Sequence, residues 1–500
     1  MTRPTLALRA LLAAAALLPA AVAGAQIPPR PEQLRFGPLA FEVPRAEALR
    51  HELAGGAVVY VVPDHALPLV NVTLYLRTGR FREPGDMPGL AELTARLARV
   101  GGTSSLAPAE FDERADFLAA RLGVDAGDSE TRASLNVLTS GLEPGLDLLF
   151  DMLRNPRFDE ERLTIEKGKL REAMKQRNDD ADDLQSREWG WLLYGRDHIV
   201  TRKVTDAELG AIARRDLAEF HRRTWGAEDL VIAVAGDVEP GTILADLERR
   251  LAGWRATERS PWPPRGAEFT PRPGLFHVEK EIPQGKVLVG HRSLKVEDWS
   301  NPDLYALMVM NDVLGGGGFT SRLVQRVRSD EGLAYGAFSG YGLGIHWPTA
   351  FLAGYASKNS TVAYALEIVL EEIERIRREP VSGEELQVAK ASFVDTFPRS
   401  FESAEQIAGT FARDELVGRP HAYWYDYRRR IQEVDAEDVL RVARRYLRPD
   451  ELVVLVVGNW EEIAPGDAER RATMAQFAGG RVEHLPLRDP LTLEPLAADP

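Results

Sequence analysis

The sequence predicts an α+β protein built from two homologous domains, each a mainly antiparallel sheet covered by helices. Apolar residues recur at helical spacing in some segments and form short strand-like runs in others, so helices and strands are interspersed. One helix-plus-strand unit, at 216–238, recurs in the second half of the chain at 438–460. A repeat with so long a period indicates duplication of a whole domain rather than a solenoid. With 500 residues, the chain is long enough for more than one domain.

The repeat is clearest at the end of each half. Each copy of the unit has an amphipathic helix with two adjacent arginines, followed by an apolar strand that ends near a glycine. Four residues recur 222 positions later: Arg222 as Arg444, Arg223 as Arg445, Leu230 as Leu452 and Gly236 as Gly458. Two more recur 223 positions later: Leu163 as Leu386 and Lys167 as Lys390.

The elements of the first half follow from local patterns. Apolar runs at 57–62 and 70–76 predict a strand pair joined by a turn through Asp64 and Pro68. Antiparallel pairing is expected because strands arrive in pairs without a helical crossover between them. The remaining predictions are helices at 89–97, 145–153, 159–177 and 216–225, and strands at 133–140 and 229–238.

The N-terminal segment 1–25 has the pattern of a secretory signal peptide. Arg3 and Arg9 flank the start of an apolar run at 10–22, and the small side chains at 23–25 directly precede Gln26. That run is too short to cross a membrane as a helix. We therefore expect an exported, periplasmic protein with no membrane span after the signal is removed.

The composition of the chain excludes some functions. Removing the signal takes away two arginines and no acids, so the formal net charge changes from -14 to -16. An acidic chain of this kind argues against nucleic acid as a partner. The absence of cysteine excludes disulfides and thiolate metal sites.

The predicted segments are a signal at 1–25, an N-terminal domain at 26–253, a proline-rich linker at 254–274, a C-terminal domain at 275–464 and a surface tail at 465–500.

One stretch of the second half, at 315–335, has an unusual composition: GGGGFTSRLVQRVRSDEGLAY. Four glycines predict a flexible loop after an apolar helix, and Thr320 and Ser321 are candidate N-caps of a second, short helix. Such a loop can hold an extended peptide by its carbonyls, or it can be a mobile connector next to a solvated basic helix. The residues concerned are Gly315, Gly316, Gly317 and Gly318 in the loop, Arg322, Arg326 and Arg328 on the helix, and Gly332 at its end.

These stretches, together with GLAELTARL and FDEERLTIEKGKLREAM in the first half, resemble the insulinase/pitrilysin-type (inverzincin) metallopeptidases, in the short-chain branch of the processing peptidases. The resemblance covers nearly the whole mature chain. It implies a two-domain chain that forms half of a clam-like chamber around an unfolded peptide.

Active members of that family carry H-x-x-E-H on a helix of the first half, where two His bind Zn²⁺ and the Glu acts as general base. Aligned on the glycine at 89, these positions fall on Glu92, Ala95 and Arg96, which cannot do this chemistry. The third ligand position falls on Glu172, or on Ala173 if Glu166 matches the preceding family acid. Glu92 and Arg96 instead have the spacing of a helical ion pair.

A relocated zinc site is a further possibility to be tested. The nine histidines include no pair spaced three or four positions apart, as a helical ligand pair requires. A site assembled from distant residues, for instance His198 with Glu172 and Glu92, is left open by the sequence. Otherwise no cofactor is expected on this chain.

The second half matches active members of the family at a pair of substrate-contacting residues, whereas the first half does not match them at the metal motif. Active relatives use an Arg and a Tyr seven positions apart to grip the substrate backbone and polarise the scissile carbonyl, and Arg328 and Tyr335 have that spacing. The resemblance therefore implies a non-zinc-binding subunit whose partner is a homologous chain with an intact H-x-x-E-H and bound zinc. The substrate expected is a peptide or unfolded segment. A silent structural or peptide-binding homologue and an autonomous zinc peptidase are the alternatives.

Overall fold

The computed structural model describes residue 30 and residues 41–228, 230–255, 257, 266–469 and 471–496. The predicted signal at 1–25 lies outside these residues. The chain divides into a short N-terminal unit, Met1–Glu42, and a compact unit, Val43–Pro500, which contains all the elements described below. No described helix is both long enough and apolar enough to span a bilayer.

Two six-stranded sheets are found in the described part of the chain. The first has the order β1-β2-β6-β3-β5-β4 and the second β12-β7-β11-β8-β10-β9. Most neighbouring strands are antiparallel, as predicted; the parallel pairs are β2 with β6, β7 with β11 and β7 with β12. The strands are β1 Arg50–Glu52, β2 Val58–Pro63, β3 Leu69–Leu76, β4 Arg121–Ala126, β5 Thr131–Leu138, β6 Val231–Gly236, β7 Gly274–Glu279, β8 Gln284–Arg292, β9 Ala334–Tyr341, β10 Ala350–Lys358, β11 Val453–Gly458 and β12 Val482–Leu485.

The helices cover the apolar faces of these sheets. In the first half they are α1 Ala46–Leu49, α2 Leu90–Val100, α3 Pro108–Phe117, α4 Leu142–Arg154, α5 Glu160–Lys175, α6 Ala181–Tyr194, α7 Asp206–Ala211, α8 Arg214–Thr224 and α9 Pro240–Leu251. In the second half they are α10 Asp303–Asn311, α11 Arg322–Val324, α12 Val362–Arg378, α13 Gly383–Thr396, α14 Ala404–Val417, α15 Ala422–Glu433, α16 Ala436–Tyr446 and α17 Trp460–Ile463. Strand β3 shows how the core is built, because Val70, Val72 and Leu74, at alternate positions, are all fully buried.

The predicted duplication is confirmed by the fold. Strands β6 and β11 and helices α8 and α16 begin and end at the same offset as the sequence repeat. A matched side chain also makes a matched contact: the Lys167 ammonium donates to the carbonyl of Ile212, and the Lys390 ammonium donates at 2.7 Å to that of Val434. Ile212 and Val434 are separated by this offset too, so the repeated lysine holds the same chain turn in both halves.

The predicted pairing of the first two long strands is wrong. Strands β2 and β3 both form, but β6 lies between them, parallel to β2 and antiparallel to β3. Five of the six residues of β6 are buried, which suits a central strand better than an edge. The two strands next to each other in sequence are therefore separated by a strand from the far end of the first half.

The C-terminal segment is more than a surface tail. Strand β12 pairs in parallel with β7 and forms the outer strand of the second sheet. His277 and His484 face each other across this pair, with their Nδ1 atoms 2.9 Å apart. In the first sheet the same outer place is taken by β1, which arrives from the N-terminal side of β2. The sixth strand is therefore supplied differently in the two halves.

The two halves exchange helices. Helix α6 of the first half packs on β8 and β11, and helix α14 of the second half packs on β2 and β6. An ion pair ties α14 to the first sheet, because Glu415 accepts hydrogen bonds from Arg50 at 3.0 and 3.1 Å and from the Tyr60 hydroxyl at 2.9 Å. Each sheet therefore depends on the other half of the chain to cover its second face.

Candidate functional site

Helix α2 carries Glu92, Ala95 and Arg96, the three positions that the resemblance aligns with the metal motif. It is amphipathic: Leu90, Leu93 and Leu97 are buried at a spacing of three and four positions. Glu92 and Arg96 lie on the partly exposed face, and the Arg96 Nε donates to the Glu92 carboxylate at 3.0 Å. The helical ion pair predicted from the sequence is present.

Helix α5 faces this pair with a buried carboxylate. Glu166 has a side chain that is only 6% exposed, and it lies 3.7 Å from Arg96 and 2.6 Å from the Lys169 ammonium. Glu172 is exposed and pairs with Lys175 at 2.8 Å. Of the two candidate third-ligand positions on α5, Ala173 lines a cavity together with Glu92, whereas Glu172 is not part of its wall.

These residues do not fit a zinc ion. A guanidinium offers donors and no lone pair, and the methyl of Ala95 can neither bind a metal nor accept a proton. The buried carboxylate of Glu166 is already bound to two cations, Arg96 and Lys169. The donor set at this place thus contains positive groups where a divalent cation needs neutral or negative ligands.

A relocated metal site is not found either. Among the described residues no group of three or more His, Cys, Asp or Glu side chains is placed to hold a metal ion. His198, Glu172 and Glu92 are all described and do not form such a group. The His198 ring instead packs against Tyr194 and Trp347, with ring centroids 5.2 and 5.4 Å away.

In the second half, the glycine run continues a helix instead of forming a flexible loop. Helix α10 passes into a π turn over Asp312–Gly316, a geometry often found at functional sites. A Cβ on Gly315 would lie 2.4 Å from the Ser339 backbone nitrogen of β9, so only glycine fits there. Gly318 has φ of +59°, which glycine adopts without cost.

The predicted N-caps have a different role. Ser321 precedes α11, but its hydroxyl donates to the carbonyl of Gly318 at 2.7 Å, and the Thr320 hydroxyl donates to that of Gly317 at 2.9 Å. Both side chains therefore fix the end of the glycine run. Short ST-type turns of this kind compete with capping because they use the same hydroxyls.

Two of the three arginines after the glycines have structural partners. Arg322 is nearly buried and makes a two-pronged contact with Glu385 at 2.6 and 3.1 Å. Burial raises the pKa of Glu385, but hydrogen bonds from Arg322 and from the Ser382 backbone outweigh it and lower that pKa to about 2. Arg326 lies 2.7 Å from the buried Glu372. A solvated basic helix is therefore not what this segment forms.

Arg328 is the third arginine, and it lies between two exposed aromatic rings. Its guanidinium carbon is 4.6 Å from the ring centre of Phe319 and 4.5 Å from that of Tyr335. Tyr335 is 87% exposed and Phe319 is 65% exposed. Sequence reasoning did not single out Phe319, although an aromatic residue directly after four glycines could have indicated it. We call these three residues the Arg328 stack.

The Arg328 stack lies at the edge of the second sheet. Tyr335 is the second residue of β9, which is an outer strand, and the π turn of Asp312–Gly316 packs against β9. Burial raises the pKa of the Asp312 carboxyl to about 6, although Ser392 donates a hydrogen bond that opposes the shift. Sequence spacing thus located Arg328 and Tyr335 together, and the fold adds an edge strand and a third aromatic partner.

Two family models match the chain and together cover more than half of it. Residues 58–188 match the insulinase (Peptidase family M16) model, and residues 211–393 match the Peptidase M16 inactive domain. The chain belongs to the insulinase family. The second match covers the Arg328 stack, and the first covers the helix with Glu92, Ala95 and Arg96.

Relatives within the insulinase family are distant but match over most of the chain. An uncharacterized zinc protease of Mycobacterium leprae is 27% identical, covering 80% of this chain and 90% of its own length. A non-peptidase homolog of Helicobacter pylori, YmxG, is 24% identical, covering 83% and 95%. A crystal structure of a peptidase M16 inactive domain from Pseudomonas fluorescens has a TM-score of 0.72 and 24% identity, covering 82% and 97%.

Proposed function

We propose that this chain is the non-zinc-binding subunit of an exported heterodimeric metallopeptidase. The carrying observation is the contrast between its two sites: the metal positions Glu92, Ala95 and Arg96 do not fit zinc, whereas Arg328 is held between exposed rings at a sheet edge. The partner is a homologous chain with an intact H-x-x-E-H, which supplies the zinc and the general base.

The Arg328 stack can perform two tasks on a peptide. The guanidinium and the Tyr335 hydroxyl are donors suited to a carbonyl oxygen that becomes negative during peptide cleavage. The outer strand β9 exposes backbone groups to which an extended peptide can add as a further strand. The ring centres of Phe319 and Tyr335 lie 4.6 and 4.5 Å from the guanidinium carbon, so two exposed rings hold the Arg328 side chain at this place.

The exposure of these rings supports a contact surface. Large side chains as exposed as Tyr335 and Phe319 are costly to leave in water and often mark a place where another molecule binds. The substrate proposed is a peptide or unfolded segment, and within the glycine run of Gly315 to Gly318 it is the exposed Gly318, with open space beside it, that lets a substrate backbone approach closely. The predicted signal at 1–25 supports an exported, periplasmic location.

The test is reconstitution with a co-purified chain that carries H-x-x-E-H. Replacing Arg328→Ala and Tyr335→Phe together lowers kcat by about a hundredfold, the usual loss when transition-state donors are removed. Arg429→Ala is the control, because Arg429 is also exposed but pairs with Asp426 and Glu433 on α15, away from the site. Rapid chelator-sensitive cleavage by this chain alone would contradict the proposal.

A catalytically silent structural or peptide-binding homologue is the second candidate. The observation in its favour is the name of the Helicobacter pylori relative, a non-peptidase homolog. The same reconstitution separates the two candidates. A structural subunit keeps full partner activity when both Arg328 and Tyr335 are replaced, whereas a subunit that completes the site does not.

A further inference from the structure

A cavity of about 360 Å³ lies beside helix α2 in the first half. Its lining includes Glu92, which the resemblance aligns with the first His of the metal motif, and Ala173, one of the two positions that it offers for the third ligand. Positive side chains make up much of the remaining wall. They are Arg80, Arg177, Arg187, Arg202 and Lys203.

Three of these cations already have acidic partners, so they contribute less to the field inside the cavity. Each partner lies at hydrogen-bond distance and is a side chain of the first half. The pairs are Arg80 with Asp128 at 3.0 Å, Arg202 with Glu83 at 2.7 Å and Arg187 with Glu188 at 3.1 Å.

Within the described part of the chain, the other two cations have no acidic partner of this kind. The Arg177 guanidinium donates there to the backbone carbonyls of Val204 at 2.9 Å and Pro490 at 3.0 Å. Lys203 makes no hydrogen bond or ion pair with any residue that the structure describes. In addition, Arg187 is 5% exposed and its Nη2 has no hydrogen-bond partner among the described residues. Buried donors without partners are costly and favour a bound acceptor.

Electrostatic repulsion among the positive side chains of the cavity also favours a bound anion. Burial, followed by the charges of Arg80, Arg177 and Arg187, lowers the pKa of Lys203. Burial and the charge of Arg187 likewise lower the pKa of Arg177. Positive groups that are held together without enough negative charge are stabilised when an anion enters.

The acids that face the cavity do not cancel this charge. Glu92 is engaged by Arg96, and the exposed Asp183 opposes the downward shift in the pKa of Lys203 without reversing it. Part of the wall is apolar and is formed by Leu170, Met174 and Val204. A wall of this mixture suits an organic group that carries a negative charge better than a small inorganic ion.

We propose that this cavity binds a carboxylate group of a peptide, either its C-terminus or an acidic side chain. The place where active relatives hold a metal cation would then hold an anion in this chain. Arginine and lysine donors are suited to carboxylates, and Arg187 presents an unused donor group. The inference rests on the peptide-binding part of the proposed function and names a second point at which this subunit recognises its substrate.

The test compares three unstructured peptides of one sequence, measured by fluorescence anisotropy with the full chain alone. One is neutral with an amidated C-terminus, one has a free C-terminus, and one is amidated with a single Gln replaced by Glu. At least one of the acidic peptides binds about tenfold more tightly than the neutral peptide, the effect of one charge-assisted contact. Added salt reduces this preference.

Variants assign the preference to the cavity. Lys203→Gln reduces the preference to about twofold or less, since it removes the cation with no described partner. Lys175→Gln is the matched control, because it removes the same charge from the exposed face of α5, where Lys175 pairs with Glu172. The control retains the preference.

Equal binding of all three peptides would overturn the proposal, and so would an equal effect of the two lysine variants on the preference for an acidic peptide. The proposal would also fail if inorganic phosphate competed with peptide binding while the chain showed no preference for an acidic peptide. The last result would indicate an anion site of a different class. A chain that prefers acidic peptides but supports no cleavage with a partner overturns the proposed function alone. A chain that supports cleavage without the preference overturns the carboxylate site alone.

Discussion

Helix α2 in the first half and helix α10 with its π turn in the second half hold equivalent places. Each follows a pair of long strands, β2 and β3 or β7 and β8, and packs beside an outer strand, β4 or β9. Their chemistry has diverged in opposite directions. Beside α2 lie an ion pair and a cavity rich in positive charge, whereas beside α10 lie a glycine run and the Arg328 stack.

The difference shows which contacts a duplicated fold must keep. Lys167 and Lys390 make the same bond to a backbone carbonyl in both halves, because that bond positions a chain turn within the fold. Glu92 and Arg328 lie on surfaces that the packing does not constrain. Function could therefore change at those surfaces while the buried faces of the same elements stayed the same.

The largest expected effect comes from rebuilding a metal site in the first half. The substitutions Glu92→His, Ala95→Glu and Arg96→His, combined with Ala173→Glu, supply three ligands and a base, with positions 92 and 173 lining one cavity. We expect this variant to bind zinc about a thousandfold more tightly, by about 4 kcal/mol, than the same triple variant that keeps Ala173, because Glu172 is exposed and directed to Lys175 and the control therefore lacks a third ligand. Zinc titration measures the difference.

The triple variant without Ala173→Glu is the control for that experiment, and circular dichroism checks that both variants fold. Equal zinc affinity in the two variants would show that Glu172 can reach the site. It would then be the better match to the family's third ligand, and the two halves would differ less than the present contacts indicate.

A smaller effect is expected from adding a methyl group to the glycine run of the second half. In Gly315→Ala the new Cβ meets the backbone and hydroxyl of Ser339 at 2.4 and 2.6 Å, so we expect the free energy of unfolding to fall by about 2 to 3 kcal/mol. Urea denaturation measures this change. Gly168→Ala on α5 is the matched control.

A Cβ on Gly168 meets nothing within 4 Å, and alanine favours a helix interior. The control should therefore raise the free energy of unfolding by about 0.5 to 1 kcal/mol. If the two variants changed stability alike, the glycine run would be a loose connector and not a packed turn.

The smallest effect concerns pH and the acid next to the glycine run. Asp312 has a folded-state pKa of about 6, above its ordinary value of 3.8, so it favours folding when protonated. The stabilising contribution of the protonated Asp312 carboxyl to the free energy of unfolding is greatest below about pH 4 and is lost as the pH rises through 6. We expect Asp312→Asn to raise stability by about 1 to 2 kcal/mol at pH 7 and to change little at pH 4.

Denaturation midpoints measured from pH 4 to pH 8 test this expectation. Asp298→Asn is the control, since backbone and hydroxyl hydrogen bonds from Ser300 lower the pKa of that exposed carboxyl. It should show no gain at neutral pH. A flat difference between Asp312→Asn and the original chain across the range would mean that the Asp312 carboxyl is not held in a medium that penalises its charge.

Much of the fold follows from local pattern. The repeat of 216–238 at 438–460 predicted a duplicated α+β chain, and the helical spacing of Leu90, Leu93 and Leu97 predicted α2. The order of strands was not predictable in the same way. Strands β2 and β3 look like a hairpin in sequence, and their separation depends on β6, whose place is decided by long-range burial.

For the site, the sequence by itself determined the absence of metal ligands at Glu92, Ala95 and Arg96 and the spacing of Arg328 and Tyr335, because residue type and separation are local properties. Only the tertiary structure decided that Arg322 and Arg326 are engaged by acids from distant helices, whereas Arg328 contacts two exposed aromatic rings. It alone gathered positive side chains around one cavity beside α2, because charges far apart in sequence interact only after the chain has packed.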